Sequence, residues 1–337
     1  MSVQTPAPAT AGTRPESDPE GRGASRRRRP GPAQVATALF LLLLLAGSLT
    51  TEGFYSLSNM TAIANAAAVV GIIAVGATAI VLGGHLFSLS IGTTVAVCAM
   101  FFLHVLRFGM VPALALTLLF GAALLGVQGW LVGRFGANPI IVTIGAGALQ
   151  EGAATWISGG TSVYPPPDAP DFSWLASPLL GVPFPVYVFV VVTVVGEVVL
   201  RRTVFGRQLI LMGESPQAAR SAALPTSRLT VTAFVCAGLT AAVAGVLLGA
   251  FNQSGTLTTT GTLTYDSIAA ILVGGAAVTG GRGSVLRTAV GALVLAALAD
   301  MLLLRGYSTP VQLLALGVIV VAVILLNHLT SHDKETR

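Results

Sequence analysis

The sequence predicts an all-α polytopic membrane protein with about ten transmembrane helices and both termini in the cytoplasm. Hydrophobic residues make up 54% of its 337 residues and charged residues only 9%, whereas soluble domains carry roughly 25% charged residues. The apolar residues form continuous runs long enough to cross a bilayer, unlike the alternating pattern of β-barrel strands. The basic residues lie almost entirely on one side of such an arrangement.

The chain begins with a polar segment, residues 1–32, which predicts a disordered basic cytoplasmic tail. It is rich in Pro, Gly, Ser and charge and contains four consecutive arginines, Arg26–Arg29. We expect these arginines to anchor topology at the membrane surface rather than to bind nucleic acid. The apolar run that follows has no small-x-small cleavage site in the right place, so it predicts a retained first helix rather than a signal peptide.

Ten apolar runs make up the predicted transmembrane domain, residues 33–327, and a short cytoplasmic tail, residues 328–337, follows it. Each run is close to the roughly 20 residues that a span requires, and Gly83-Gly84 and Gly109 mark short turns between neighbouring runs. In chain order the predicted spans are 33–51, 61–82, 87–106, 108–133, 138–157, 184–200, 229–251, 266–281, 284–304 and 309–327.

The distribution of basic residues predicts the orientation of these spans. With both termini inside, 16 of the 18 basic residues fall in cytoplasmic segments, and only Arg107 and Arg305 fall outside. Cytoplasmic loops carry an excess of Lys and Arg, so the pattern favours an even number of spans and cytoplasmic termini.

Two loops are longer than ordinary connectors, and long loops in compact proteins are often functional. Residues 158–183 contain three consecutive prolines, Pro165–Pro167, and are predicted to be extracytoplasmic. Residues 201–228 carry five arginines and are predicted to face the cytoplasm. We therefore expect the two loops to serve opposite faces of the membrane.

The polar residues show no pattern typical of an enzyme. There is no metal-ligand spacing, phosphate-binding loop or nucleophile elbow, and the histidines are scattered. Cys98 and Cys236 both lie in apolar runs and are expected to be packing residues rather than a disulfide. The sequence thus predicts no catalytic residue, no metal site and no cofactor within this chain.

Four motifs together resemble the permease subunits of ribose-type monosaccharide ABC importers, in the branched-chain amino acid/ribose permease superfamily. The segment Tyr265–Gly283 is rich in Ala and Gly, which suits close helix packing, and it closes on Gly280-Gly281-Arg282-Gly283. The other three are Leu89-Ser90-Ile91-Gly92, Asn138-Pro139-Ile140-Ile141-Val142-Thr143 and the loop Arg201–Leu224.

This resemblance implies a fold like that of type II ABC importers and a transport subunit rather than an enzyme. It implies ATP-Mg in a separate ATPase subunit, a second permease copy or a paralogue, and an extracytoplasmic solute-binding protein. The location it implies is the bacterial plasma (cytoplasmic, or inner) membrane, with lipid as surroundings and no nucleic-acid partner. The solute is implied to be a monosaccharide or a similar small polar compound.

Within the long cytoplasmic loop, the resemblance assigns coupling to the ATPase. Ser215 can cap a short helix that opens at Pro216, a favoured first-turn residue, and such a helix could dock in a groove of a partner. The alternative is an amphipathic connector whose arginines only anchor topology. Glu214-Ser215 replaces the commoner Gly-Asn pair of the family. The residues assigned to coupling are Gly206, Arg207, Gly213, Glu214, Ala218, Ala219 and Arg220.

Polar residues at membrane depth are candidates for the translocation path, because burying them in lipid is costly. Ser88 stands where the family usually has Asp, and Asp266 is expected either to cap its helix or to act as a gate. Gly280, Gly281, Arg282 and Gly283 are expected to form a turn at the cytoplasmic end of a helix. The path candidates are Ser88, Ser90, Asn138, Thr143, Asn252 and Asp266.

Other acidic residues have simpler explanations. Glu197 lies one helical turn before Arg201, which favours an interfacial ion pair over a substrate contact. Asp300 and Arg305 are expected to be solvated near the outer face. Gln150 and Glu151 lie within the fifth span, where they could line a cavity or make helix–helix hydrogen bonds.

Three other functions compete with the importer hypothesis. An ion-gradient-driven secondary transporter would place acids in broken helices near the midplane and show inverted repeats. A permease for branched-chain amino acids or urea would share the broader fold. An integral membrane enzyme would require clustered catalytic residues, which the sequence lacks.

Overall fold

The computed structural model describes residues 45, 47–85, 87–258 and 261–332. The predicted tail 1–32, most of the predicted first span 33–51 and the last five residues lie outside the described part. From Leu57 onward, the described residues are mostly helical.

Eleven α-helices form almost all of the ordered structure in this part of the chain. Seven of them are long and apolar enough to cross a membrane, as judged by length and composition. The fold is thus that of a polytopic helical membrane protein, as predicted. The helices are α1 (Leu57–Leu82), α2 (Ile91–Val105), α3 (Met110–Phe135), α4 (Pro139–Ser158), α5 (Phe184–Arg202), α6 (Val204–Glu214), α7 (Pro216–Ser221), α8 (Thr226–Asn252), α9 (Leu263–Val273), α10 (Val285–Leu304) and α11 (Thr309–His332).

The predicted eighth span needs correction. In place of a helix over 266–281, α9 covers Leu263–Val273, and the chain from Gly274 to Ser284 is not helical. Eleven residues rise only about 16 Å, roughly half the thickness of a bilayer core. The apolar composition of 274–281 suggested a longer helix, but Gly275, Gly280 and Gly281 adopt left-handed backbone angles that end it.

Most other boundaries agree with the prediction to within a few residues. The largest differences are at α1, which begins at Leu57 rather than at residue 61, at α2, which begins at Ile91 rather than at residue 87, and at α11, which ends at His332 rather than at residue 327. Helix α2 begins late because residues 87–90 are not helical. A single turn of 3-10 helix, Leu106–Phe108, extends α2. Cys98 and Cys236 are both free thiols, as expected.

Helix α8 lies at the centre of the bundle and packs along α1, α2 and α3. Small residues allow this close approach. A Cβ atom added at Gly121 of α3 would lie 2.6 Å from the carbonyl oxygen of Gly238, and one added at Gly245 would lie 2.7 Å from that of Val95. Such backbone-to-backbone contact is how membrane helices associate without a hydrophobic driving force between them.

The long loop after α4 packs back onto the helix ends rather than extending away. A 3-10 turn (Ser173–Leu175) and a two-stranded hairpin, β1 (Pro178–Leu179) and β2 (Val182–Pro183), form its second half. The backbone of Val163 exchanges two hydrogen bonds with that of Gly255, at 2.9 and 2.8 Å. We call this end of the bundle the hairpin end, and the opposite end, which carries Arg201, Arg202, Arg220 and Arg282, the arginine-rich end.

Candidate translocation path and coupling surface

A buried chain of polar side chains begins in the connection between α1 and α2. Ser88 and Ser90 are both buried, and their hydroxyl oxygens lie 3.3 Å apart. The Ser90 hydroxyl donates to Oε1 of Gln128 on α3 at 2.8 Å, and the Gln128 amide donates to the carbonyl of Leu124 at 3.2 Å. Ser88 and Ser90, two of the predicted path residues, therefore belong to one hydrogen-bond network, which Gln128 connects to α3.

The same connection is tied to α4 and α9. The backbone N–H of Leu89 donates to Oγ1 of Thr143 at 3.2 Å, and that of Gly92 donates to Oγ1 of Thr264 at 3.1 Å. The hydroxyl of Thr94 lies within hydrogen-bonding distance of two acceptors, the Ser90 carbonyl oxygen and Oε1 of Gln150, at 2.9 Å from each. The bond from Gly92 satisfies one of the first N–H groups of α2, which the helix itself leaves unpaired, and together these bonds hold the connection between α1 and α2 in place.

Beside this network lies a cavity of about 540 Å³ between α4, the start of α2 and the segment that leads into α9. Its α4 wall runs from Thr143 to Glu151, which lie roughly 6 to 18 Å along the helix from its first residue. The Glu151 side chain is exposed in the isolated chain. Hydroxyl, carboxylate and aliphatic groups share the lining, which includes Leu89, Thr93, Thr143, Ile144, Glu151, Leu257, Thr264 and Tyr265.

The remaining predicted path residues lie away from this cavity. Asn138 caps α4, since its Oδ1 accepts the N–H of Ile140 at 2.9 Å, and its side chain is exposed. Asn252 ends α8 at the hairpin end. Asp266 is half-buried in the first turn of α9, where the positive end of the helix favours a carboxylate.

The predicted short helix in the arginine-rich loop is present as α7. Ser215 caps it, with its hydroxyl accepting the N–H of Ala218 at 3.2 Å, and Pro216 is the first helical residue. Of the residues assigned to coupling, Arg207, Glu214, Ala218 and Arg220 are exposed, whereas Gly206, Gly213 and Ala219 are buried inside this chain. The buried three therefore have no free surface with which to touch a partner.

Three glycine-containing segments meet at the arginine-rich end, and we call this contact the glycine junction. Gly84 follows α1, Gly213 lies near the end of α6, and Gly280 belongs to the turn 280–283. A Cβ atom added at Gly280 would lie 2.6 Å from Cα of Gly84 and 3.3 Å from Cα of Gly213. The predicted turn thus exists, although it packs against α1 and α6 instead of directly ending a helix.

Next to the junction, Glu197 of α5 caps a different helix. Its carboxylate accepts the Ser284 hydroxyl at 3.1 and 3.2 Å and the backbone N–H of Leu286 at 3.1 Å, at the start of α10. It also pairs with Arg201, as the spacing predicted. At the hairpin end, Asp300 is not simply solvated, because it accepts a hydrogen bond from Asn59 at 2.7 Å.

Sequence reasoning missed several residues of this site. Gln128 was overlooked although it is a polar residue within an apolar run, a signal that marks it as a candidate. Tyr265 is the first residue of the segment singled out for its small residues, and its place beside α4 depends on contacts between residues far apart in the chain. No local pattern predicts such contacts.

A helical bundle with a buried polar network and a partly polar cavity open at its side, between helices long enough to span a membrane, is typical of a membrane transport subunit. The sequence profile of the family described as "Branched-chain amino acid transport system / permease component" matches residues 59–325. The chain belongs to this family. It is a multi-pass permease subunit of the cytoplasmic membrane, a transport component and not an enzyme.

Relatives along most of the chain carry consistent names. The chain is 33% identical over 285 residues to the "Probable ABC transporter permease protein YphD" of Escherichia coli K12, covering 84% of this chain and 85% of that protein. It is 28% identical over 277 residues to the "Autoinducer 2 import system permease protein LsrD" of Photorhabdus laumondii, covering 80% and 82%. The LsrD protein of Yersinia enterocolitica is 29% identical over 272 residues, covering 78% and 81%. No solved structure matches the chain.

These similarities extend the earlier resemblance from separate motifs to nearly the whole helical part. They favour an ATP-binding cassette permease over an ion-gradient-driven carrier or a membrane enzyme.

Proposed function

We propose that this permease subunit imports a monosaccharide or a similar small polar solute along the cavity beside α4, with a second permease copy or a paralogue closing the path. The observation that carries the proposal is Glu151, whose carboxylate lines this cavity and is exposed. Among the described residues its side chain makes neither an ion pair nor a hydrogen bond.

A carboxylate in this position is costly if it faces lipid. Glu151 is the thirteenth residue of a 20-residue apolar helix, and ionisable side chains inside a membrane span almost always face a bundle interior or a water-filled space. Because nothing within the described part of this chain covers Glu151, a second permease subunit and the water between the two copies are its natural surroundings.

The backbone around the cavity supports the same conclusion. Residues 83–85 and 87–90, which follow α1, and residues 253–257, which follow α8, are not helical, and Leu89 and Leu257 from these segments belong to the lining. Non-helical backbone at membrane depth is tolerated only where it is buried in protein or lines a water-filled space. Both segments therefore fit the wall of a hydrated path.

The lining chemistry suits an uncharged polyhydroxy compound. Thr93, Tyr265 and Glu151 offer hydroxyl and carboxylate groups for solute hydroxyls, while Leu89 and Ile144 supply apolar surface. No basic side chain is among the described residues of the lining, so a solute carboxylate lacks a charged partner there. The LsrD relatives are named as permease proteins of an autoinducer 2 import system, whereas the family description names branched-chain amino acids. These two names leave two solute classes to test.

The proposed orientation places the arginine-rich end in the cytoplasm, in accordance with the positive-inside rule. In this orientation the long helices would alternate in direction between the two ends, and α9 together with the residues on either side of it would complete one crossing. Together with the predicted first span, this gives ten crossings and cytoplasmic termini.

The partners follow from the orientation. ATPase subunits, which hold the ATP-Mg, would dock on α6 and α7 through the exposed Arg207, Glu214, Ala218 and Arg220. A solute-binding protein would deliver solute to the opposite face, near loop 158–183. Gly206, Gly213 and Ala219 would contribute by packing, since they are buried.

Two measurements test the proposal. Tagged chain is purified in mild detergent from its native host, and recovery of an ATPase subunit in about equal amount is the expected result, whereas a chain recovered alone contradicts an importer.

The ligand carried by a co-purifying binding protein is then identified by mass spectrometry. A neutral polyhydroxy compound supports the proposed solute class, and an amino acid overturns it.

A further inference from the structure

An apolar groove of about 370 Å³ opens between α5 and α8, with α1 as its floor and α6 closing one end. Its walls are mostly aliphatic, with Phe205 and Cys236 among them. The hydroxyl of Thr240 is already used, since it donates to the carbonyl of Ala237 at 3.0 Å. The groove thus offers no unpaired side-chain hydroxyl to a ligand. Prominent lining residues are Val192, Val195, Val199, Leu239, Val243 and Phe205.

The closed end of the groove carries positive charge. Leu200 and Phe205 line it, and the chain between them contains Arg201 and Arg202. Arg201 is paired with Glu197, whereas Arg202 is exposed and makes no ion pair within the described part of the chain. One net positive charge therefore stands beside the end of an apolar groove, at the arginine-rich end of the bundle.

We propose that this groove is a binding site for an anionic phospholipid, with one acyl chain between α5 and α8 and the headgroup phosphate at Arg202. The apolar walls match a hydrocarbon chain and offer nothing to a polar solute. Basic residues at one end of a groove between membrane helices match the combination that recognises anionic headgroups. The site is separate from the solute cavity, which is lined by α2, α4 and α9.

Helix α5 provides a matched pair of variants. Val195 lines the groove and is 54% exposed, whereas Val194, which is 52% exposed, is absent from the lining. V195W fills the groove with an indole ring, and V194W places the same ring on the neighbouring surface of the same helix. L239W, on the α8 wall, serves as a second filling variant if V195W does not fold.

The test is native mass spectrometry of the full chain in mild detergent with equal amounts of phosphatidylglycerol and phosphatidylcholine of the same acyl chains. We expect wild type and V194W to retain one phosphatidylglycerol in preference to phosphatidylcholine, and V195W or L239W to lose at least about four-fifths of that retention. Equal retention by the filling variant and V194W overturns the proposal.

A charge variant tests the headgroup contact. R202Q is expected to abolish the preference for phosphatidylglycerol while leaving phosphatidylcholine retention unchanged. R134Q, which removes an exposed arginine at the same end of α3, is expected to retain the wild-type preference. An unchanged preference in R202Q, or an equal loss in R134Q, overturns the assignment of the phosphate to Arg202.

Discussion

The backbone N–H of Gly281 donates to the carbonyl of Leu82 at 3.0 Å. This bond joins the turn 280–283 to the last residue of α1, and Gly213 packs directly against it: a Cβ atom added at Gly213 would overlap the Leu82 carbonyl oxygen and lie 2.5 Å from the Gly281 nitrogen. Because Gly213 lies two residues before the cap of α7, a movement of α7 bears directly on α1 and on the turn. The glycine junction therefore connects the proposed ATPase-docking helix directly to the membrane core.

Gly280→Ala tests the glycine junction, with Gly306→Ala as its control. Both glycines have left-handed backbone angles, φ of +91° and +77°, but a Cβ atom overlaps Gly84 in the first and meets nothing within 4 Å in the second. Each variant should lose about 1–2 kcal/mol through backbone strain, and G280A about 1–3 kcal/mol more through overpacking. Equal shifts in unfolding temperature would show that the close contact is unimportant.

Arg220→Glu tests the docking of α7. Arg220 is exposed on this helix, so reversing its charge should weaken an ATPase contact without disturbing the fold. We expect transport-coupled ATP hydrolysis by the assembled complex to fall at least about tenfold, with normal membrane insertion. Arg134→Glu, at the same end but outside α7, serves as the control. Normal coupling in R220E would count against docking through α7.

Thiol labelling tests whether the cavity is hydrated. In a chain with Cys98 and Cys236 replaced by Ala, we expect Glu151→Cys to react rapidly with a charged, membrane-impermeant methanethiosulfonate, because thiolates form in water and not in lipid. Val194→Cys on α5 is exposed on the bundle surface and should react at least about tenfold more slowly. Similar rates at the two positions would contradict a hydrated path beside α4.

Removing the carboxylate of Glu197 should destabilise the start of α10. Glu197→Ala leaves the buried donors of Ser284 and Leu286 unpaired, at a cost of about 1–3 kcal/mol. Glu197→Gln keeps an oxygen for Leu286 and loses mainly the ion pair with Arg201, whose side chain is 63% exposed and so contributes little. The unfolding temperature should therefore fall less in E197Q than in E197A. If the unfolding temperature fell as far in E197Q as in E197A, the negative charge of Glu197, and not its hydrogen bonds, would be what stabilises the start of α10.

Local signals in the sequence predicted the helices and their caps well. The run Ser215-Pro216 predicted where α7 begins, and Pro139 predicted the first turn of α4, because capping and first-turn preferences depend on a few adjacent residues. The apolar runs predicted the long helices for the same reason, since each span satisfies its own backbone hydrogen bonds.

The sequence could not predict the features that depend on distant contacts. The shortness of α9 results from glycine backbone angles, and the turn that follows packs on Gly84 and Gly213, far away in the chain. The bond between Gly92 and Thr264 joins residues 172 positions apart. Hydropathy and spacing carry no information about such pairs, so the cavity and the glycine junction emerge only from the three-dimensional structure.

The cap that Glu197 provides for α10 has a consequence for biosynthesis. Glu197 is made 87 residues before Ser284, which at cellular synthesis rates is roughly 4–17 s. During that interval the α5 carboxylate has Arg201, one turn away, but not its partners on α10. A nascent or truncated chain that ends before Ser284 therefore keeps an incompletely paired acid in an apolar helix.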